Sequence, residues 1–545
     1  MNQRHLLLHR FRFIFSFLLL ALSLAPLSAG AAPDAWTPLA PGIDFQIFHL
    51  TQPRPLNLFV TRLNRSNPMA TIETAIATGS LTSGRQSISG MAARYDQAIN
   101  YWGETWGNRN RVVAAINGYY FNLSSGEPLS GVIHSGWYAK PFSDYVGDAG
   151  FAWNLNGGAF IGRCVYHQAR DQFFTVLRSG ETRKINGVNV PRPADSLVLY
   201  TPQYAASTQT DATGVEVLVE MSRPTMLLPS PARALGTVTR IRDRHGDTPI
   251  PFDHVVLSAT GSARADLLQK LLLGDEIGIS QEISDCPSAP QNYWTKTYAA
   301  LGGDYHFLVN GVVTIDTDNP DARVPNSRSA VGYSMAYVYF IVADGWNPGV
   351  SEGVTVRELG EFARNTLGVT NAVTLDSGGS STIVINGLPV NNTYCNFTRQ
   401  CGMSSGGQTR EAEKPAEVNP KYAGAVASPD FEPLVGTALL MVAVEPIAQS
   451  RVFVPDQTAL TRWPSELRLG PGTNYAVQSI LPGGASVRIV GMRYKDLNGV
   501  LAKGAFWQRV EYSGGGEALG WVRQDDLIWL PPPGAQSVYL PFVAR

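Results

Sequence analysis

Charge is scarce in this chain. Only 16% of its 545 residues are charged, and 43 basic residues stand against 44 acidic ones. Without a clustered basic face there is nothing to neutralise a nucleic-acid backbone, so no nucleic-acid partner is expected. Cysteine is scarcer still: Cys164, Cys286, Cys395 and Cys401 are the whole complement. No Cys-x-x-Cys and no His-Glu-x-x-His occurs, which argues against a zinc ribbon or a zincin. The apolar run Ile14–Leu24 is short of the roughly 20 residues a spanning helix needs.

That run instead completes a secretory signal over residues 1–31. Arg4, Arg10 and Arg12 precede it, and Ala29-Gly30-Ala31 supplies a small-x-small cleavage site. The mature protein is therefore expected to be secreted or at the cell surface, and mildly acidic. An even cysteine count in an exported chain favours disulfides over metal sites. Of the three connectivities, Cys395 with Cys401 as a short clip and Cys164 with Cys286 as a long-range bond is the pairing expected. What the chain has in quantity is glycine and proline, 53 and 36 residues, which suits a loop-rich β-containing protein better than a helical bundle.

Apolar runs predict strands over Leu58–Val60, Ala70–Ile76, Phe173–Leu177, Leu197–Tyr200, Val215–Val219, Phe252–Ser258 and Gly436–Val444. Helices are predicted over Ser89–Trp102, over Ala263–Leu273, and from the capping box Thr355-x-x-Glu358 to Leu367, with Gly368 just past the end. Glu358 thus reads as a cap. Ile185-Asn-Gly-Val188 and the segment around Asn386-Gly387 read as hairpins. The polar, aperiodic stretch 402–429 reads as a flexible excursion.

Three apolar strands end in chemistry. Arg111–Ile116 leads into Asn117-Gly-Tyr-Tyr-Phe121, Ala336–Ala343 ends at Asp344-Gly345, and Asn371–Leu375 ends at Asp376 and opens into Ser377-Gly-Gly-Ser-Ser-Thr382. Arg328-Ser-Ala-Val-Gly332 lies upstream of the second. Residues with little or no side chain let a substrate approach backbone N–H groups. Together with the Glu-Leu-containing helix, and in this order, these segments resemble the phosphodiester glycosidase family. Its members carry Asn-Gly-x-[Tyr/Phe]-Phe, Arg-x-Ala-x-Gly, Asp-Gly and Asp-Gly-Gly-Gly-Ser-Ser-Thr segments. Its mammalian member, the lysosomal uncovering enzyme, removes N-acetylglucosamine from a sugar phosphodiester. The resemblance spans Gly42 to Val444. Ser377 departs from the family's glycine and Tyr119 stands at an often small position; both bear on pocket width and so on substrate choice.

Cleaving a sugar from a phosphodiester builds an oxocarbenium-like centre beside a departing phosphate. Arg328 is the candidate phosphate clamp, since its planar fork can bond two phosphate oxygens. Asp344 and Asp376 are the candidate acid and base, or base and nucleophile. Asn117, Tyr120 and the loop Gly378, Gly379, Ser380, Ser381 and Thr382 are the candidate substrate contacts. Nothing in the sequence requires a cofactor, although Asp344 and Asp376 could share Ca²⁺ or Mg²⁺. His134 and His306 read as structural. The expected substrate is a glycosyl phosphodiester of a surface polysaccharide or glycolipid. The rival reading is a non-catalytic glycan- or cell-wall-binding protein on the same fold. A serine hydrolase using Ser380 or Ser381 is weaker, because the loop around them is not a Gly-x-Ser-x-Gly elbow.

Beyond a linker at 446–458, residues 459–530 read as a second unit of short strands and glycine turns. Leu467-Arg-Leu-Gly-Pro-Gly-Thr-Asn-Tyr475 and Gly520-Trp-Val-Arg523 resemble the bacterial SH3 domain, and the resemblance implies attachment to a cell-wall or surface polymer. Trp507 and Trp521 read as core. A Pro-rich tail, 531–545, follows. The overall expectation is an α+β fold, a mixed β-rich catalytic domain with flanking helices over 32–445, followed by a small all-β SH3-like barrel.

Overall fold

The computed structural model describes residues 35–530 except 68, 99, 103–104, 108–109, 143–148, 155, 164, 168–171, 222–235, 281–282, 285–296, 316–319, 396–400, 404–408, 411–425, 428–430, 445–452, 474, 492–498, 503–504 and 515–517. The signal segment, Cys164, Cys286, much of 402–429, most of the linker and the tail lie outside the described residues. For Cys395 and Cys401 only the backbone is described.

Strands account for 49% of the structure and helices for 12%, so the α+β assignment is corrected to a β-rich fold built from several sheets. The physical reason is the shortness of the helical runs. Ile88–Gln97, Gly261–Lys270 and Val356–Asn365 are ten residues each. The first ends short of the predicted Trp102, and Asn100–Trp102 is a strand paired with Thr105–Gly107. Val356–Asn365 has the expected capping box: Thr355 Oγ1 accepts from Glu358 N at 3.2 Å, and Glu358 Oε2 accepts from Thr355 N at 2.9 Å.

One sheet runs in the order Ile43–Leu50, Leu56–Asn64, Tyr337–Ala343, Arg328–Tyr333, Asn371–Thr374, Leu308–Val309 and Val312–Val313. A second runs Leu388–Pro389, Ile383–Ile385, Asn110–Asn117, Thr437–Val444 and Ala70–Ile76. A third runs Ala159–Arg163, Ala149–Asn154, Thr297–Gly303, Val132–His134 and Trp137–Lys140. Their facing sides share one core that includes Val113, Ile116, Phe151, Leu301, Phe340 and Val373. Asn386 and Gly387, at φ 48° and 83°, make the tight turn that joins Ile383–Ile385 to Leu388–Pro389. The hairpin predicted at Ile185-Asn-Gly-Val188 does not form. Gly187–Val188 pairs in parallel with Leu197–Tyr200, because Asn186 Oδ1 and its backbone N–H are spent on Leu197.

A fourth sheet spans Glu181–Lys184, Phe173–Val176, Glu276–Ser280, Gly236–Asp243, Val215–Met221, His254–Ala259, Leu197–Tyr200 and Gly187–Val188. Against it packs the C-terminal sheet, in the order Val477–Leu481, Ser465–Arg468, Ala518–Arg523, Ala505–Tyr512, Ser486–Ile489, Thr458–Thr461 and Leu527–Trp529. This path is open: among the described residues its two edge strands do not pair, which corrects the expected barrel. Its own core holds small aliphatics such as Leu467, Leu481, Val487 and Val510. Trp507 and Trp521 are buried, as expected of core residues, but in the core of the fourth sheet. Trp521 meets Phe252 edge-on with ring centroids 5.5 Å apart. Arg509, fully buried, donates from Nη1 to Glu220 Oε1 at 2.9 Å and has Nη2 3.7 Å from Asp253 Oδ2.

Candidate active site

Strands from the three facing sheets end at one place. Arg328 stands opposite Ala343, and Ala330 opposite Thr374, so antiparallel register delivers Arg328, Asp344 and Asp376 to the same sheet edge. The strand Thr297–Gly303 of the third sheet arrives beside them. Asp304 N donates to Thr374 O at 2.9 Å and Tyr305 N to Thr374 Oγ1 at 3.0 Å. The second sheet contributes Asn117 and the loop 378–382, whose Thr382 carbonyl accepts from Asn117 N at 3.3 Å.

Asn117 is the joint between these strands. Its Nδ2 donates to Asp376 O at 2.7 Å and Gly118 O at 3.1 Å, and its Oδ1 accepts from Ser329 Oγ at 2.6 Å and Thr382 N at 3.2 Å. The side chain is fully buried, so its amide capacity is spent holding Asp376 and the loop to the sheet. Gly118 has no room for a side chain, since a Cβ there would lie 2.2 Å from Thr437 Oγ1.

Asp376 is nearly buried and accepts at Oδ2 from the Ser380 hydroxyl, four residues on in the same loop. Gly378 takes φ 70°, and its N–H and carbonyl both bond Ser327. The hydroxyls of Ser381 and Thr382 are buried without a hydrogen-bond partner among the described residues. Gly379 and Ser380 complete a single turn of 3-10 helix with Gly378.

Arg328 is held rigidly. Nε donates to Val354 O at 3.1 Å, and Nη2 donates to Val324 O at 3.0 Å and to Asp321 O. Nη1 has no hydrogen bond among the described residues. Burial lowers the Arg328 pKa, opposed by Tyr120, Tyr305, Asp304 and Asp321. Tyr120 is over one-third exposed, and its hydroxyl lies 3.5 Å from Asp304 Oδ2. Burial, then the charges of Asp304 and Asp376, push its phenol well above the ordinary value, while Arg328 pulls the other way. The structure therefore brings Asp376, Arg328 and Tyr120 into one electrostatic neighbourhood, together with Asp304 and Tyr305, which the sequence reading did not single out. The signal was available: Tyr298–Leu301 is an apolar run ending in Gly302-Gly303-Asp304, the same signature as the other strand ends.

Asp344 faces a different set of groups. Oδ1 accepts from Asn391 Nδ2 at 3.0 Å, and Oδ2 accepts from Asn392 N at 3.2 Å and Asn392 Nδ2 at 3.1 Å. Asn391 also donates to Ser381 O at 3.1 Å and accepts from Ile383 N at 2.8 Å, so Asp344 reaches the 378–382 loop through this amide. Burial pushes Asp344 up to about 6 despite those three donors. Asn391 and Asn392 carry no periodic or motif signal that marks them in the sequence.

A divalent cation shared by Asp344 and Asp376 does not fit this arrangement. Three N–H groups of Asn391 and Asn392 already take most of the Asp344 acceptor capacity. Among the described residues no three His, Cys, Asp or Glu side chains cluster for a metal ion. His306, two residues past Asp304, is held at about 4 by burial and by the Arg163 charge, and is therefore neutral at physiological pH. Glu358 is a cap and an ion-pair partner: burial raises its pKa, but the Arg54 bond at 2.8 Å and the Thr355 bonds outweigh it and leave the pKa low. Trp346, half-buried, has its ring edge over Gly378, 3.3 Å from where a Cβ would stand, and adopts φ 59°, a conformation rare for a bulky side chain.

Residues 249–404 match the family model of phosphodiester glycosidases. Asp304, Arg328, Asp344 and Asp376 fall inside that stretch, whereas Asn117 and Tyr120 fall before it. The chain is also similar to solved structures. A hypothetical protein from Synechocystis is 17% identical with a TM-score of 0.45, over 76% of this chain and 64% of that one. A Burkholderia pseudomallei protein described as exported is 18% identical with a TM-score of 0.41, over 71% and 74%. The zebrafish N-acetylglucosamine-1-phosphodiester alpha-N-acetylglucosaminidase catalytic domain, auto-inhibited by its pro-peptide, is 14% identical with a TM-score of 0.35, over 78% and 92%. The chain thus spans less than two thirds of the length of the Synechocystis protein. No curated protein matches the sequence.

Proposed function

We propose, with a phosphodiester glycosidase domain as premise, that this protein is an exported hydrolase that cleaves the sugar–phosphate glycosidic bond of glycosyl phosphodiesters in surface polysaccharide or glycolipid. The observation that carries the reading is the convergence of Asp376, Asp304, Tyr120 and a braced Arg328 inside and beside that domain. In this reading the developing negative charge on the leaving phosphate is met by Arg328 Nη1, with the rest of the guanidinium tied to three backbone carbonyls. A charge fixed before the reaction costs no reorganisation when the transition state forms. Asp376 stands toward the anomeric carbon, oriented by Ser380 and by the Asn117 anchor on its own carbonyl. Asp304 with Tyr120 offers the second acid–base group. Asp344 acts through Asn391, which sets the position of the loop.

Purified mature protein is to be incubated with UDP-N-acetylglucosamine and a panel of glycosyl phosphodiesters, with and without chelator, beside Asp376→Asn. Sugar release that disappears in the variant supports the reading. No release from any substrate, with glycan binding retained, favours a binding protein on the same fold.

A further inference from the structure

A cavity of about 250 Å³ lies where four parts of the fold meet, apart from the candidate active site. The turn after Ala70–Ile76 and the helix Ile88–Gln97 give it Thr78, Arg94 and Tyr95. The hairpin of the third sheet gives His134, the fourth sheet's loops give Gln203 and Phe252, and the C-terminal unit gives Tyr475. None of Asp304, Arg328, Asp376 or Tyr120 lines it.

The polar groups of this cavity are arranged for a ligand. Gln203 is nine-tenths buried, and its Oε1 has no hydrogen-bond partner among the described residues. An amide left so is costly to the fold unless something fills its bonds. His134 donates from Nδ1 to Thr74 O at 2.8 Å, which leaves Nε2 for a ligand. Arg94 runs alongside Gly79, its Cδ 3.5 Å and Nη1 3.8 Å from where a Cβ on that glycine would stand. Burial lowers its pKa. Aromatic walls complete the site: Tyr95 stands edge-on to His134 at 6.1 Å, and Tyr475 is tilted against Phe252 at 6.0 Å.

We propose that this cavity binds one sugar unit carrying a carboxylate or phosphate. The guanidinium suits the anion, the Gln203 amide and His134 Nε2 suit hydroxyls, and the tyrosine faces suit ring C–H groups. Because one wall comes from the C-terminal unit, an occupant ties that unit to the rest of the fold. The proposal is independent of the glycosidase reading.

The test is calorimetric titration of the full mature chain with glucuronic acid, with glucose 6-phosphate and with neutral glucose, in the wild type, Asp376→Asn, Arg94→Gln and Gln203→Leu. Expected is saturable binding, one site per chain, of at least one anionic sugar. It stays unchanged in Asp376→Asn and is weakened about tenfold or more in Arg94→Gln and Gln203→Leu, with glucose weaker than either. The two anionic arms show whether carboxylate or phosphate is the group recognised. Gln203→Leu keeps side-chain volume, so it carries the test should Arg94→Gln not fold. Three results overturn the proposal: no binding of either anionic sugar to folded wild type, binding that vanishes in Asp376→Asn, or binding indifferent to a folded Arg94→Gln or Gln203→Leu.

Discussion

Asn117 Nδ2 donates to the carbonyl of Asp376 at 2.7 Å, across 259 residues of chain, from a side chain with no exposed surface. That one amide also holds Ser329 and Thr382, so it fixes the candidate catalytic carboxylate relative to two sheets at once. Asn117→Ala leaves the Asp376 carbonyl, the Thr382 N–H and the Ser329 hydroxyl without their partner. At about 1–3 kcal/mol for each buried group left unmade, and with partial relaxation, the expected loss is roughly 2–5 kcal/mol in urea denaturation. Turnover is expected to fall by about a hundredfold in the fraction that remains folded, since displacement of a reacting group by an ångström has that order of effect. A variant with wild-type kcat would remove Asn117 as the anchor.

The second prediction concerns pH. Burial raises Asp344 to about 6 from an ordinary 3.8, so in the folded protein its proton is released later than in the unfolded chain. The folded state then binds more protons between those two values, and the stability this group permits is full below pH 3.8 and is lost as pH rises to about 6. The loss is on the order of 3 kcal/mol, at 1.36 kcal/mol per pH unit. Urea midpoints of the wild type and Asp344→Asn across pH 4 to 7 check it. The variant is expected to lack this component of the pH slope. It is not expected to be more stable outright, because its new NH₂ would face the N–H donors of Asn391 and Asn392.

These two residues mark how far the sequence could be read. The strands ending at Asn117, Asp344 and Asp376 were visible as apolar runs closed by a polar residue and glycine, and the helix after Thr355 and the turn at Asn386-Gly387 were visible as local chemistry. Such signals are carried by neighbours in sequence. Asp344 meeting Asn391 and Asn392, or Tyr120 meeting Asp304, depends on the packing of separate sheets, which no local spacing encodes. The same limit explains the C-terminal sheet. Regular glycines and tryptophans suggested closure on itself, but Trp507 and Trp521 have a better hydrophobic partner in Phe252 and the fourth sheet, and the sheet stays open.

That shared core leads to a third prediction. Arg509 lies between Glu220 and Asp253, all buried. Burial opposes ionisation of Asp253, but the charges of His254 and Arg509 win and hold its carboxyl below the ordinary carboxylate range. Arg509→Met nearly keeps the volume and removes the buried cation from between two buried carboxylates, for an expected cost of about 3–5 kcal/mol. Calorimetry is expected to show the C-terminal sheet and the fourth sheet melting in one transition in the wild type, at a temperature lowered by the substitution. Two well-separated transitions in the wild type, with only the upper or lower one moved, would contradict a common core.

Trp346 supplies the last prediction. It follows Asp344-Gly345 directly, holds a backbone conformation that costs a non-glycine residue about 1 kcal/mol or more, and lays its ring edge over Gly378 at the turn of the candidate catalytic loop. Strain of this kind persists where the surroundings impose it, and an aromatic face beside a glycine loop is suited to the apolar face of a sugar ring. If the ring contacts bound sugar in the ground and transition states alike, Trp346→Ala raises KM about tenfold and leaves kcat within a factor of about three. Trp346→Phe, which keeps a smaller ring, should fall between. If the ring only seals the loop, the alanine variant instead lowers kcat and its melting temperature together while KM stays put, so initial-rate kinetics on any cleaved glycosyl phosphodiester, read beside a thermal melt, separates a sugar platform from a packing residue.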